Sequence, residues 1–488
     1  MQTRRHALSA ALACVTALFP ILAFGQGATV VSEREPIVVY DEKDLNPNPP
    51  RYAWEGATLL KDIRVIDGMG NSAKKGQDVL VSGGKIAALG KTGSLDVPSD
   101  ARVIDGDGLT VLPGIIDAHT HLYGGWRGGN DNGTRPALIK WTLLAFLYNG
   151  VTQIFDTGNV ATTAADARDL VAAGAWMGPD VKIAGAYFET APVGGGDESI
   201  LLPVPDPGFI GGQLDVMKGV FGVEMVKCHT GTNAQILSLL VAEAHERDMR
   251  VFCDLWHNNL NPWIARQTKL DGFAHNAFMA LPPTESDVEV LAQEGTFVIG
   301  NIVIWDAFAG ARIEQQGVDY IGSNPLIVDV QPPAWVAAHN GPELQGTLAR
   351  YNAMADALLR PVRPQEEMRK DSVAVLSLLI DKGVLVGMGT DTPYPTIWTG
   401  ESMHREMEIW VNEAKISPLR TLQSATYDNA RLLKIDDRTG SIQPGLEGDL
   451  LVVEGNPAKN ISDTRKIKYV FNNGKLVDRE SLTRQWRY

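Results

Sequence analysis

Eight short apolar segments alternate with segments of helical periodicity across the middle of the chain. Apolar runs of this length, bounded by turn residues, predict buried strands, and strands that alternate with helices predict a parallel sheet. Eight such repeats indicate an α/β fold of the (β/α)8 TIM barrel type. The predicted strands are VLPGIIDAH (111–119), GVTQIFD (150–156), VKIAGA (181–186), VEMVKC (223–228), RVFCDL (250–255), GFAH (272–275), TFVIGNIV (296–303) and VLVGMGTD (384–391).

The two flanks of this region have a different pattern. Residues 56–111 consist of short alternating runs broken by Gly and Asp, and residues 437–488 repeat that pattern, for example in GSIQPGLEGDLLVVEGNP. Such runs predict short strands joined by turns. We therefore expect the flanks to pair as one small domain, a β-sandwich, beside a barrel made of residues 112–436.

The first residues resemble a targeting segment. An arginine pair precedes an apolar stretch from Ala7 to Phe24, and small residues near its end suit cleavage. We expect residues 1–25 to be a signal peptide and residues 26–55 to form an N-terminal arm of a periplasmic or secreted protein. The arginine pair also suits twin-arginine export. The alternative is a membrane anchor, for which the stretch is short.

The composition limits the partners. The net charge is -14 and no basic cluster occurs, so neither a nucleic acid nor an anionic membrane is an expected partner. An apolar content of 44% and a charged content of 21% are ordinary for a globular enzyme. Cys14 lies in the predicted signal peptide. Cys228 and Cys253 lie in apolar predicted strands, where we expect buried free thiols.

Two histidines end the first predicted barrel strand. Residues i and i+2 of a strand point to the same side, so His119 and His121 project together while Thr120 points away. Two neutral imidazoles a few ångströms apart form half of a metal site. The alternative is a pair of hydrogen-bonded structural histidines.

Four further candidate ligands or bases lie at or near the ends of other predicted strands: Lys227, His257, His275 and Asp391. Each has an ordinary alternative role, since Lys227 could be a surface lysine, His275 a core histidine and Asp391 a helix N-cap. Active sites of (β/α)8 barrels lie at the carboxyl ends of the strands. The shared position of these residues therefore favours one site.

The motifs VLPGIIDAHTH, GVTQIFDTG, GMGTDTP and SATYDNARLLKIDDRTGSIQPGLEGDLLVVEGNP resemble those of the metal-dependent amidohydrolase superfamily. The resemblance runs from about Leu59 to Val477. VKCHTG is similar to the fourth-strand lysine segment of the imidazolonepropionase-like and prolidase-like branch. The resemblance implies two divalent metal ions, usually zinc.

The same resemblance implies which residues bind each of the two metal ions. The first metal would bind His119, His121 and Asp391, and the second would bind His257 and His275. Lys227, carboxylated by CO2 on its amine, would become an anionic carbamate that bridges the two metals.

One segment departs from the family pattern. VFCDLWHNN places Asp254 near the end of the fifth strand and His257 three residues later. We prefer His257 as the ligand because imidazole suits zinc and the family uses it, but a carboxylate also binds zinc. His229, His245 and His339 are interpreted as structural or surface residues, although His229 could face the pocket.

The resemblance implies hydrolysis by a metal-bridging hydroxide. Asp391 would take the proton of the hydroxide and pass it to the leaving nitrogen, a contribution of about 10²–10⁴-fold. The predicted protein is an exported hydrolase that cleaves the C–N bond of a small-molecule amide, such as an N-acyl amino acid or a dipeptide. A lactonase or phosphotriesterase is the first alternative. A mononuclear deaminase is disfavoured by Lys227, and a non-catalytic binding protein by the complete ligand set.

Two long connections are candidates for substrate specificity. The Gly-rich segment Tyr187 to Ser199 follows the third strand, and the segment from Trp305 to Arg369 is unusually long for a barrel connection. The second is interpreted equally well as a lid over the substrate and as a surface excursion or homo-oligomer contact.

Overall fold

The computed structural model describes residues 47–122, 136–189, 201–204, 206–229, 233–254, 262–276, 282–308, 311–332, 336, 364–394 and 396–485. The predicted signal peptide, most of the predicted N-terminal arm, His257 and His339 lie outside these residues. Within the described part of the chain, no helix combines the length and the apolar character needed to cross a membrane.

The strands are numbered in chain order. They are β1 (Tyr52–Trp54), β2 (Thr58–Val65), β3 (Lys74–Ser82), β4 (Lys85–Lys91), β5 (Arg102–Asp105), β6 (Leu109–Pro113), β7 (Ile115–Thr120), β8 (Val151–Asp156), β9 (Asp180–Ile183), β10 (Tyr187–Glu189), β11 (Leu201–Pro203), β12 (Met225–Cys228), β13 (Arg250–Cys253), β14 (Gly272–Phe273), β15 (Phe297–Gly300), β16 (Val386–Met388), β17 (Leu450–Glu454), β18 (Ile467–Asn472) and β19 (Lys475–Val477).

The α-helices are numbered in the same way. They are α1 (Pro136–Tyr148), α2 (Ala161–Ala172), α3 (Ile210–Gly219), α4 (Ala234–Glu246), α5 (Trp263–Thr268), α6 (Glu285–Glu294), α7 (Ile302–Phe308), α8 (Ala311–Gln316), α9 (Val318–Ser323), α10 (Pro325–Val328), α11 (Gln365–Asp381), α12 (Glu401–Asn412), α13 (Pro418–Gln423) and α14 (Asn429–Leu433).

The two flanks of the chain meet in one sheet. Its strand order is β1-β19-β18-β17-β6-β2-β3-β4, with β5 paired to β2. The join between the flanks is the antiparallel pair β6 and β17, in which Leu112 lies opposite Leu451. Buried apolar side chains such as Val111, Val452 and Phe471 form the core of this sheet. The described strands of both flanks belong to this single sheet, and the sandwich arrangement stays a prediction.

The apolar run before the histidine pair is divided between two sheets. The sequence predicts one buried strand over it, but β6 ends at Pro113 in the flanking sheet and β7 begins at Ile115 in a parallel sheet. Gly114 lies between them, and a Cβ atom there would overlap the side chain of Thr152. The close approach of β8 therefore requires a glycine where the chain passes from one sheet to the other.

Strands β7 to β16 form two parallel sheets, in the orders β7-β8-β9 and β11-β10-β12-β13-β14-β15-β16. Each of the eight predicted barrel segments overlaps one of these strands. An isolated parallel bridge between Thr120 and Thr392 links the end of β7 to the segment after β16. The predicted α/β class is confirmed. Among the described residues, the hydrogen-bonded ladders do not close into one continuous barrel.

Two helices show how far local signals determine the elements. A serine followed by a proline is typical of a helix N-terminus. Ser417 is the N-cap of α13, and its side chain accepts a hydrogen bond from the amide of Arg420. In α4 the helical period of the sequence predicts one apolar face with Ile236, Leu239, Leu240 and Ala244. Three of these are buried, but Leu239 is 39% exposed and Leu237 is buried instead.

Cys228 and Cys253 form a disulfide, so the prediction of free thiols is wrong. The two residues lie directly opposite each other in the parallel pair β12 and β13, with their Cα atoms 4.6 Å apart. That separation lies within the range that disulfides span. The pairing follows from the register of two strands, which the sequence does not display.

The segment after β15 begins with helices α7 to α10 rather than with an irregular loop. Arg312, in α8, is buried and donates two hydrogen bonds to Glu401 at 2.8 and 2.7 Å. Because Glu401 is the first residue of α12, this ion pair fixes the segment to the barrel helices. The role of this segment as a lid stays a prediction, since residues 337–363 lie outside the described part of the chain.

Candidate metal centre

The parallel strands bring five of the six predicted site residues together with Asp254. His119 belongs to β7 and Lys227 to β12, and the other members lie within a few residues of the carboxyl ends of β7, β13, β14 and β16. All six side chains are buried. The members of this cluster are His119, His121, Lys227, Asp254, His275 and Asp391. The sixth predicted residue, His257, lies outside the described residues.

The first group consists of His119, His121 and Asp391. Asp391 Oδ1 lies 3.0 Å from His121 Nε2 and 3.4 Å from His119 Nε2, and one ligand atom from each residue lies within 4.8 Å of the others. Asp391 has a left-handed backbone with φ 58°. Its amide donates a hydrogen bond to the carbonyl of His119 at 2.7 Å. A strained backbone held by neighbouring strands is frequent at functional sites.

Lys227 lies between this group and a second one. Its Nζ is 3.2 Å from His119 Nε2 and 3.1 Å from Asp254 Oδ2. On the far side of Asp254, Oδ1 lies 2.7 Å from His275 Nε2. Lys227 Nζ therefore lies between the first group and the pair formed by Asp254 and His275.

Backbone carbonyls fix the protonation of the first two histidines. His119 Nδ1 lies 2.8 Å from the carbonyl oxygen of Ala274, and His121 Nδ1 lies 2.8 Å from that of Gly158. A carbonyl oxygen only accepts hydrogen bonds, so each Nδ1 carries the hydrogen. In the neutral rings, each Nε2 then carries a lone pair directed at Asp391.

The third histidine is oriented in a similar way. His275 Nδ1 lies 2.9 Å from Asn301 Oδ1. The amide nitrogen of Asn301 donates to the carbonyl of Ala274 at 3.2 Å, which identifies Oδ1 as the atom that faces the histidine. Nε2 of His275 therefore presents its lone pair to the carboxylate of Asp254.

The electrostatic environment keeps these groups in their metal-binding forms. Burial, together with the positive charge of Lys227, lowers the pKa of His119 well below its ordinary value. Burial alone would raise the pKa of Asp391, but positive charge on the neighbouring histidines and the hydrogen bond with His121 bring it well below its usual range. Where the histidines are neutral, a bound cation would supply that charge. A neutral imidazole and a carboxylate facing each other are two acceptors, and a cation between them makes the contact favourable. The donor set therefore fits divalent metal ions.

Sequence reasoning missed several residues that support the site. Asp117 accepts hydrogen bonds from Thr390 Oγ1 at 2.6 Å and from the amides of Thr390 and His119. Burial raises the pKa of Asp117 to about 7. The alternation rule that paired the two histidines places Asp117 on the same side of β7 and could have found it. Asn301 directly follows β15, and no comparable sequence pattern indicates that it supports the site.

The fold and the cluster together define an α/β protein with a buried candidate metal site at the carboxyl ends of parallel strands. Residues 273–477 match the amidohydrolase family, and this part of the chain is an amidohydrolase family domain. The family resemblance seen in the sequence is thereby confirmed.

Similar proteins agree with this class. The chain is 35% identical to a deacetylase of Agrobacterium fabrum over 103 residues, which are 21% of this chain and 22% of that protein. It is 30% identical to an imidazolonepropionase of Picrophilus torridus over 155 residues, 27% of this chain and 39% of that protein. The chain thus spans less than half the length of either curated relative.

A solved structure extends the likeness in fold. The crystal structure of a Xaa-Pro dipeptidase with bound methionine in the active site matches with a TM-score of 0.65 and 20% identity. The match covers 86% of this chain and 99% of that one. This likeness extends the shared fold over most of the chain.

Proposed function

We propose that this chain is an exported, metal-dependent hydrolase that cleaves the C–N bond of an N-acyl amino acid, a dipeptide or a related amide. The observation that carries the proposal is the set of histidine Nε2 atoms directed at buried carboxylates around Lys227. Export rests on the targeting pattern of residues 1–25, and the substrate class rests on the amidohydrolase family match.

We further propose that the two parallel sheets are parts of one (β/α)8 barrel. Strands β9 and β10 follow each other within ten residues, and β9 pairs with β8 while β10 pairs with β12. The bridge from Thr120 to Thr392 links β7, an edge strand of the first sheet, to the segment that follows β16, an edge strand of the second. A closed barrel of this kind would hold all the cluster residues at the carboxyl-terminal end of its strands.

The first divalent ion, proposed to be zinc, would bind His119, His121 and Asp391. The second would bind His275 and a ligand from the fifth strand, and Lys227 as a carbamate would bridge the two ions. We propose Asp254 as the fifth-strand ligand because it contacts both Lys227 and His275. His257 stays the competing prediction from the sequence.

The chemistry follows from the ionisation states. Bound divalent cations lower the pKa of a water molecule from 15.7 to about 7 and polarise a substrate carbonyl. Asp391 is ionised at neutral pH because its pKa is held below the ordinary range. Its carboxylate is therefore able to accept the proton of the attacking water and to return it to the leaving nitrogen. Burial of the cluster excludes bulk water from these transfers.

The proposal is tested with the purified mature protein. Its metal content is measured, and hydrolysis of N-acyl amino acids, Xaa-Pro dipeptides, lactones and aryl amides is assayed in parallel. We expect two divalent ions per chain and hydrolysis of one of the amide classes. Hydrolysis of lactones alone, or a single ion with release of ammonia, would contradict the proposed substrate class. Absence of metal would contradict the proposal altogether.

A further inference from the structure

His229 lies beside the metal cluster and has no role in the proposed ligand set. It directly follows β12, and Glu189 ends the neighbouring strand β10. The amide of His229 donates to the carbonyl of Phe188 at 2.9 Å, which continues the pairing of the two strands. The backbone therefore brings the two side chains to the same strand ends as the cluster.

The ring of His229 is held in one orientation. Nδ1 lies 3.0 Å from Glu189 Oε2, and the Glu189 side chain is only 2% exposed. The imidazole also stacks on the ring of Tyr187, with centroids 4.8 Å apart and an interplanar angle of 10°. An ionised carboxylate only accepts hydrogen bonds, so Nδ1 carries the hydrogen, and Nε2 of the neutral ring carries a lone pair.

That lone pair is directed toward the second group of the cluster. Nε2 of His229 lies 3.8 Å from Asp254 Oδ2, the same oxygen that lies 3.1 Å from Lys227 Nζ. The arrangement repeats that of His119, His121 and His275, in which an oxygen acceptor holds Nδ1 and Nε2 faces a buried carboxylate. A separation of 3.8 Å between two ligand atoms admits one divalent ion at the usual bond length of about 2.1 Å from each.

We propose that His229 is a ligand of the second metal ion, together with Asp254, and that Glu189 is the positioning residue that fixes its tautomer. This inference rests on the two-metal function proposed above. In this proposal His229 supplies an imidazole ligand to the second ion, beside the carboxylate that Asp254 supplies from the end of the fifth barrel strand. A carboxylate that holds a metal-binding histidine raises its basicity and fixes its ring.

The experiment compares metal retention rather than turnover. Mature wild-type protein and the variants His229→Ala and Glu189→Ala are dialysed against graded zinc buffers, and the zinc bound per chain is measured. The absorption spectra of the cobalt-loaded proteins report the ligands directly. His245→Ala is the matched control, because His245 forms a similar pair with Asp271 at 2.9 Å but is 39% exposed and precedes β13.

We expect His229→Ala to lose the second ion and to change the cobalt spectrum. Glu189→Ala should weaken the second ion by about 10–100-fold, the usual effect of removing a carboxylate behind a ligating histidine. The control should match the wild type. Should His229→Ala fold poorly, His229→Gln provides the same comparison with a smaller loss of volume.

The two proposals fail in different ways. A wild-type protein that holds a single ion overturns the two-metal function and, with it, this inference. If the wild type and His229→Ala both hold two ions with equal affinity and equal spectra, only the inference is wrong.

Discussion

His121 Nε2 and Asp391 Oδ1 lie 3.0 Å apart, although 270 positions separate the two residues along the chain. Neighbouring backbone contacts maintain this distance, because the amide of His121 donates to the carbonyl of Thr392 at 2.8 Å and that of Asp391 to the carbonyl of His119 at 2.7 Å. The first candidate metal position thus combines residues from the ends of the first and the last strands of the two parallel sheets.

Asp391→Asn should remove the proton acceptor while keeping the shape of the side chain. We expect hydrolysis to fall by about 10²–10⁴-fold, the usual contribution of a general base. The first metal ion should also bind more weakly because one anionic ligand is lost. Rate and metal content are measured on the same preparation. Asp371→Asn is a suitable control, since Asp371 lies on α11 outside the cluster. Unchanged turnover would contradict the assigned role of Asp391.

Lys227→Ala should lower both metal occupancy and activity, because it removes the only lysine within reach of both groups in the described part of the chain. Short carboxylic acids should restore part of each, since a carboxylate can replace the carbamate between two cations. Zinc content and rate are followed as acetate is added. Lys182→Ala, at a partly buried lysine of β9 that pairs with Glu224, is the control. A variant that keeps two ions and full activity would show that Lys227 does not bridge.

Replacing both Cys228 and Cys253 by Ser should destabilise the protein by about 3 kcal/mol, from the entropy that a cross-link over this loop length removes from the unfolded chain. Chemical denaturation measures the difference. A reductant should shift the wild type toward the variant and leave the variant unchanged. Peptide mapping after alkylation of the unreduced protein checks the bond itself: labelling of both thiols before reduction would disprove the disulfide.

Glu401 should make stability depend on acid pH. Its burial would raise the pKa, but Arg312 and Arg465 lower it to about 2. A carboxyl group with a lowered pKa in the folded state stabilises the protein above its unfolded pKa, and this contribution is lost as the pH falls toward 2. Arg312→Ala removes one partner and raises the pKa of Glu401 toward its unfolded value, so the acid-dependent loss should become smaller and be complete at a higher pH. The free energy of unfolding at pH 7 should fall by about 3–5 kcal/mol.

The check is denaturation of wild type and variant at several pH values between 2 and 7. Glu285→Gln is the control, since Glu285 is exposed and pairs with Lys382 on the surface, where ion pairs contribute little to stability. If wild type and Arg312→Ala show the same pH dependence, the ion pair does not anchor the segment after β15.

The parts of the fold that local patterns encode were predictable. Apolar runs marked the parallel strands, and the two-residue period placed His119 and His121 on one side of β7. Ser417 and Pro418 marked the start of α13. These signals lie within a few residues of the structure they specify.

The remaining features depend on which segments become neighbours. The disulfide requires the register of β12 against β13, and the division of the run at Gly114 requires the approach of Thr152. His229 directly follows a predicted strand, but only the position of Glu189 on β10 shows where its ring points. The spacing of residues along the sequence does not show which strands lie side by side or in which register they pair.

The pairing of β6 with β17 has a consequence for biosynthesis. Until Leu450–Glu454 has left the ribosome, β6 would present an open edge that can pair with other chains. Truncation before β17 should therefore yield aggregation rather than a smaller stable protein. A nascent chain of this kind would depend on a chaperone until its last strands are synthesised.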